Sequence, residues 1–373
     1  MAQLSITPSF SRPKFKRCIL HIGTEKTGTK AIQTYLRSVE AKLLTSGILF
    51  PTAADRGNLS QWEFAAVAHH APWKQDIGRV FGITDALSQI EFTNQLRDTL
   101  TREFNANRNA DTLVISSEHF QSRLTSVDDI TRLRDFLALW VEQFEIIVYF
   151  RRQDQMALSF MSTRLKSSVK IHANDYLRTM GSTPNYYLYD QIFSRWSEVF
   201  GKSNIQARIY DPAEWIAGDL TEDFCRSVDL PHPASKILRV NQSLSPKAFH
   251  FLRVLNELYP SIPGDRNDPI RSALVRQVAI LYPGKFYPIA RADAEAFYQQ
   301  FQQTNLNLQR LAFPDRQTSL FSNDFSEYPE TADDHSPKYE DAVEIAVELW
   351  RGMHHDEDRR KKSWFARLLK LIK

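Results

Sequence analysis

Along this chain, short runs of apolar and β-branched residues alternate with longer stretches whose apolar positions recur every three or four residues. Five runs read as strands: CILHI (18–22), ILF (48–50), TLVISS (112–117), EIIVYF (145–150) and IQARIY (205–210). Between the first two, Ile32, Leu36, Val39 and Leu43 fall at helical spacing and predict one helix, with Gly47 as its C-terminal stop. Strands that alternate with helices in this way predict βαβ units and an α/β fold with an open, mainly parallel sheet flanked by helices.

The same pattern suggests a layout. Residues 1–16 read as a tail and 17–313 as the α/β domain; 314–338, rich in Asp, Ser, Pro and Glu, reads as a linker before C-terminal helices over 339–373. Within the domain, 51–110 is first polar and irregular, with His69 and His70 adjacent, and then helical. It reads as an insertion above the sheet, a place where an acceptor-binding surface is commonly built. Residues 212–313 read as mostly helix. In that region Ser245 before Pro246 marks a helix start, and Trp196, Val199 and Phe200 form a core-facing stripe just ahead of it.

Composition narrows the function classes. The chain has 373 residues, 42% hydrophobic and 24% charged, enough to bury a sizeable core. Its 47 Lys and Arg against 44 Asp and Glu leave +3, which argues against a nucleic-acid coat and requires any anionic partner to be met locally. Two cysteines, Cys18 and Cys225, make neither a disulfide framework nor a four-ligand zinc site, and a reducing compartment is the simpler expectation. The N-terminus lacks a continuous apolar segment. Even FLALWVEQFEIIVYF (136–150) is interrupted by Glu142, Gln143 and Glu145, so a cytoplasmic protein without a spanning helix is expected.

The strongest chemical signal is HIGTEKTGTK (21–30), where a strand runs into a glycine-containing loop that opens a helix. Backbone N–H groups in such a loop, backed by a helix N-terminus, form an anion cradle. The spacing of Gly23 and Gly28 approaches the nucleotide-binding GxxxxGK[ST] loop, but Thr29 stands where that loop has lysine, and Lys30 is the only rescue for an NTPase reading. The order Lys26-Thr27-Gly28-Thr29 after a strand instead resembles the 5′-phosphosulfate loop of PAPS-dependent sulfotransferases, and carbohydrate sulfotransferases of bacterial type in particular. That resemblance implies a P-loop-NTPase-like sheet, PAPS as co-substrate and no metal. It gives Lys26 the role of the essential lysine, and Gly23, Thr24, Glu25, Thr27, Gly28, Thr29 and Lys30 the cradle of the 5′-phosphate.

A second segment, EIIVYFRRQDQMALSF (145–160), resembles the same family's 3′-phosphate motif: a strand, then Arg151, then Ser159 eight residues on. A guanidinium fork and a hydroxyl suit that phosphate, and Arg152 is an alternative to Arg151. Where many relatives have Asn-Pro or Asp-Pro after the arginine, this chain has Arg152-Gln153. Both loops follow strand carboxyl ends, as does SSEHF (116–120), so three strand ends can face one crevice. Sulfuryl transfer requires the acceptor hydroxyl to lose its proton. Glu118 and His119 are the candidate bases, Glu118 favoured by the resemblance and His21 a third choice.

Softer features complete the reading. Arg239, Asn241 and Ser243 are candidate nucleotide contacts, and Arg164, Lys166 and Lys170 suit an acidic glycan as well as a solvated helix face. The segment RRKKSWFARLLKLIK (359–373) places Trp364, Phe365, Leu368, Leu369 and Ile372 on one helical face among basic residues, as in a helix lying on an anionic membrane or packed on the domain. Neither the 69–70 His pair nor HHDED (354–358) has recognisable metal-ligand spacing, and no metal is expected. Three readings follow: sulfuryl transfer from PAPS to a hydroxyl, most simply of a glycan; a kinase using the 23–30 loop with Mg-ATP; or a non-catalytic nucleotide- or glycan-binding module at the membrane.

Overall fold

In the computed structural model the description covers residues 14–351 apart from 56, 58, 172–175, 178–179, 181–183, 235–242, 261–267 and 334–337. Five parallel strands form the sheet: β1 (Phe15–Ile22), β2 (Ile48–Leu49), β3 (Thr112–Ser117), β4 (Val141–Phe150) and β5 (Ile205–Ile209), in spatial order β2-β3-β1-β4-β5. Cys18 to Ile22 and Ile146 to Phe150 are buried without a break. That is why these segments are apolar apart from His21: helices cover both faces of a parallel sheet, so its strands do not alternate polar and apolar positions. β1 and β4 extend three and four residues further toward their amino ends than the apolar runs suggested.

The helix expected over 32–43 is two helices, α1 (Thr29–Ser38) and α2 (Glu40–Thr45), broken at Val39. The Ser38 hydroxyl donates to the Tyr35 carbonyl (2.7 Å), a local bond that competes with the helical ladder where the chain bends. The apolar stripe survives the break. Ile32, Leu36, Val39 and Leu43 all enter the core with Ile19, Val114, Ile147 and Phe224. Gly47 closes the unit with φ 77°, as a left-handed stop requires.

Residues 51–110 supply α3 (Glu63–Ala68), a 3-10 turn at Pro72–Lys74, α4 (Asp76–Phe81) and α5 (Ala86–Ala106), the last opened by a capping box between Asp85 and Ser88. After β3 come α6 (His119–Arg123) and α7 (Val127–Leu137), and after β4 comes α8 (Gln153–Lys166). Next are α9 (Pro184–Tyr187) and α10 (Tyr189–Phe200) before β5, and α11 (Leu220–Ser227) after it.

The chain divides into two units. The first, Met1–Met156, Ser182–Leu238 and Tyr298–Asn323, holds the sheet; the second comprises Ala157–Gly181, Arg239–Phe297 and Asp324–Lys373. In the second, Ser245 caps the helix Pro246–Leu258 by accepting from the Ala248 N–H, with Pro246 as its first residue. The stretch 314–333, read from sequence as a linker, forms no regular element, and Leu320, Phe321, Phe325 and Tyr328 are buried. A helix follows from Tyr339. No helix among the described residues is long and apolar enough to cross a membrane. The basic segment 359–373, the tail up to residue 13, Arg239 and Asn241 lie outside the described residues.

Candidate functional site

Strand register assembles the site. Ile22, the last residue of β1, pairs with Ser117, the last of β3, so Gly23 and Glu118 leave the sheet side by side, while β4 runs on to Phe150 and delivers Arg151 on the other flank. After β1 the chain goes to the edge strand β2, comes back inward through β3 beside β1, and then crosses to β4 on the other side, so β1 stands at the switch point where open α/β sheets bind ligands. The 23–28 loop is pinned to both neighbours. The Gly23 N–H donates to the Ser117 carbonyl (3.1 Å), and the Thr24 hydroxyl donates to the Tyr149 carbonyl.

Within the loop, Lys26 (φ 68°) and Gly28 (φ 75°) are both left-handed. For lysine that conformation is uncommon, and it persists where the surroundings dictate it, typically at functional sites. The Thr27 hydroxyl donates to the Thr24 carbonyl (2.6 Å), so the hydroxyl protons of Thr24 and Thr27 are both spent on backbone carbonyls, one on β4 and one inside the loop, and their part in an anion cradle falls to the backbone N–H groups. The N-terminus of α1 has no side-chain cap and no acidic residue in its first turn. Its orphan N–H groups and positive dipole end therefore face the loop uncompensated. Thr29 Oγ1, at the first position of α1, is buried with no hydrogen-bond partner, and so is Arg151 Nε. Unsatisfied donors on both sides of a left-handed loop fit an anion.

Gly28 is constrained twice. Its φ disfavours any side chain, and a Cβ would stand 2.3 Å from Leu220 Cδ2 and 3.0 Å from Tyr210 Cε2. Gly28→Ala is expected to destabilise the protein by roughly 1–3 kcal/mol and to weaken nucleotide binding with it, as read by denaturant unfolding beside calorimetry. An unfolding midpoint equal to wild type would contradict this geometry.

Adjacent arginines go separate ways. Arg151 Nη1 donates to the Lys26 carbonyl (3.1 Å), its guanidinium lies over the Tyr210 ring (5.2 Å), and the Tyr189 hydroxyl donates to its carbonyl (2.6 Å). Arg152 is buried and forks onto Asp154 (2.8 and 2.9 Å), with a further bond to the Ser322 carbonyl (2.8 Å). Its guanidinium is committed to the fold, which corrects the alternative of Arg152 standing in for Arg151. Ser159 is half-buried on α8 and belongs to the second unit.

Glu118 Oε2 accepts from Gln33 Nε2 (3.2 Å) and Ser60 Oγ (3.0 Å), while Oε1 takes no hydrogen bond among the described residues. The carboxylate is thus oriented by one oxygen and offers the other. His119, first in α6, stacks on Trp62 (4.5 Å, 29°), and its Nδ1 is buried without a partner. Burial, only partly offset by Glu118, lowers its pKa to about 4, so the ring is neutral near pH 7. His21 lies fully buried in β1 with Nδ1 2.8 Å from Ser116 Oγ, and burial lowers its pKa to about 3; it is a core histidine.

Lys30 is exposed on α1. Glu25 accepts a hydrogen bond from the Tyr186 hydroxyl (3.4 Å), and burial raises its pKa against the opposing pull of Ser122, Lys26 and Arg123. Tyr186, Ser122 and Arg123 also line a cleft of about 860 Å³ whose other wall runs from Trp73 to Thr84, in the insertion. Gln33, Ser60, Arg123, Tyr186 and Tyr210 carry no motif, and sequence reading passes over them. Only for Gln33 is there a signal, a polar residue on the buried side of an amphipathic helix.

Elsewhere, His69, His70 and Asp129 bring ligand-type atoms within 4.8 Å of one another. Asp129 Oδ1 accepts the His70 N–H (2.8 Å), Oδ2 accepts the Ser126 hydroxyl (2.7 Å), and His69 Nδ1 accepts the Ala71 N–H (2.9 Å), so this group ties α3 to the start of α7.

No family model matches the chain. An uncharacterized protein of Archaeoglobus fulgidus is 27% identical over 221 residues, 58% of this chain and 58% of that protein, so the match spans little more than half of the relative's length. Among solved structures, a sulfotransferase from Alicyclobacillus acidocaldarius is similar with a TM-score of 0.40 and 14% identity, covering 81% of this chain and 96% of that one. The sulfotransferase domain of the Synechococcus PCC 7002 olefin synthase gives 0.32 and 15%, covering 79% and 97%. The sulfotransferase domain of the curacin biosynthetic pathway gives 0.33 and 13%, covering 73% and 98%.

Proposed function

We propose that the protein is a PAPS-dependent sulfotransferase that moves a sulfuryl group to a hydroxyl of a carbohydrate acceptor. The observation that carries this reading is the hydrogen bond from Arg151 to the Lys26 carbonyl, which joins two motif halves 125 residues apart in sequence. An ATP-type loop needs no such partner, whereas a donor with both a 5′- and a 3′-phosphate needs cations at both places.

PAPS supplies the sulfuryl group on a phosphate leaving group. The chain's own residues then divide the work. Backbone N–H groups of 23–29, with the α1 N-terminus behind them, hold the 5′ end. Arg151 holds the 3′-phosphate. The Lys26 ammonium offsets negative charge that develops on the leaving oxygen, and Glu118 Oε1 takes the acceptor proton. Positioning and electrostatics carry most of the rate, as in phosphoryl transfer.

Calorimetry with PAP, ADP and Mg-ATP tests the donor. Metal-free PAP binding well above ADP binding is the expected result; a preference for Mg-ATP would select the kinase, and binding of none would sink both. Glu118→Gln is expected to lower turnover of labelled PAPS by roughly 10²–10⁴-fold with PAP affinity unchanged, because it removes proton acceptance and little else. Turnover within a few-fold of wild type would return the base to His119.

A further inference from the structure

A carboxylate beside an anion cradle is a liability, because like charges a few ångström apart repel even where solvent partly screens them. Glu25 sits in the middle of the 23–28 loop, and its side chain is engaged elsewhere, by the Tyr186 hydroxyl (3.4 Å) and by Ser122. Both partners line the cleft of about 860 Å³. Lys26, next in sequence, and Glu118 both lie within electrostatic range of its carboxyl. A group bonded to Glu25 from the cleft therefore comes under the electrostatic influence of both the lysine and the candidate base.

The cleft wall has a sign. Arg123 is committed bidentately to Asp76 (3.0 and 2.8 Å), so those two charges cancel. Lys74 and Arg79 remain, both exposed on the wall and neither in an ion pair among the described residues. Among the other lining residues, Gln75, Thr84 and Ser122 offer polar groups and Trp73, Ile83 and Tyr186 the large apolar surfaces, a mixed wall that does not suit an apolar small molecule.

We propose that Glu25 is an acceptor-side specificity residue rather than part of the phosphate cradle, and that the cleft beside it takes a hydroxyl-rich acceptor bearing a carboxylate, sulfate or phosphate. This rests on the sulfotransferase reading. The test uses the full chain loaded with PAP and three probes: unsulfated chondroitin tetrasaccharide and glucose 6-phosphate as anions, and cellotetraose as the neutral control. At least one anionic probe is expected to bind more tightly than cellotetraose. Its affinity should fall about tenfold in Lys74→Ala/Arg79→Ala and in Glu25→Ala, and recover in part in Glu25→Gln, which keeps a hydrogen-bonding head. PAP affinity stays at the wild-type value in every variant. A drop in PAP affinity on Glu25→Ala would place Glu25 in the donor cradle and overturn the proposal, as would tighter binding of cellotetraose, binding indifferent to Lys74 and Arg79, or failure of both anions to bind. Should Glu25→Ala not fold, the Lys74/Arg79 variant and Glu25→Gln still decide. Wild-type protein that binds no PAP would instead remove the sulfotransferase reading itself.

Discussion

Lys26→Ala is expected to lower sulfuryl turnover by roughly 10²–10³-fold while leaving the melting temperature unchanged, the scale seen when one group preorganised for transition-state charge is removed. The stability half of this expectation comes from the backbone. Lys26 stands at φ 68°, and alanine meets the same steric cost there as lysine, so the exchange does not alter the strain stored in the loop. Lys26→Gly separates the two effects. It relieves a left-handed conformation worth roughly 1–2 kcal/mol and should give a protein that is more stable and equally inactive. Turnover of labelled PAPS and thermal melts on the two variants read both quantities. Activity within tenfold of wild type would dismiss Lys26 from the leaving-group role, and a severe loss in Lys30→Ala in its place would favour the kinase reading.

Arg152→Ala and Arg151→Ala are expected to fail in opposite ways. In the first, Asp154, with a side-chain exposure of 0%, loses the guanidinium fork that it shares with Arg152, and the Ser322 carbonyl loses the Arg152 donor. Breaking a buried pair by removing one partner costs about 3–5 kcal/mol, much of the stability of an ordinary domain. The unfolding midpoint in urea should drop accordingly. In Arg151→Ala no charged partner is stranded, because the guanidinium bonds a carbonyl and lies over a ring. The melt should stay near wild type while the preference for PAP over ADP falls by roughly 10- to 100-fold, the worth of a charge-assisted bond to phosphate. Equal melting of the two variants would contradict the division of labour between these neighbours.

The sequence by itself determined the elements and the order of the chemistry. Buried parallel strands are mostly apolar, so three of the five could be read to the residue at their carboxyl ends, where the loops begin, and the other two to within one. The lysine-glycine loop, the arginine after β4 and the acidic residue after β3 were visible because each follows such a strand.

Only the tertiary structure decided which side chains face the site. Two adjacent arginines look alike in sequence, and the choice between them was made by Asp154, Tyr298 and Ser322, which meet only in the fold. Glu118, favoured by the resemblance, and His119 were both candidate bases, and only the fold shows Gln33 and Ser60 bonded to the first and Trp62 stacked on the second. Glu25 was read as part of the cradle, and the hydrogen bond that it accepts from Tyr186, 161 residues away, is a partner that sequence spacing does not show. Periodicity encodes burial within one element, whereas the direction of a polar side chain at a strand end is set by partners that sequence spacing does not record.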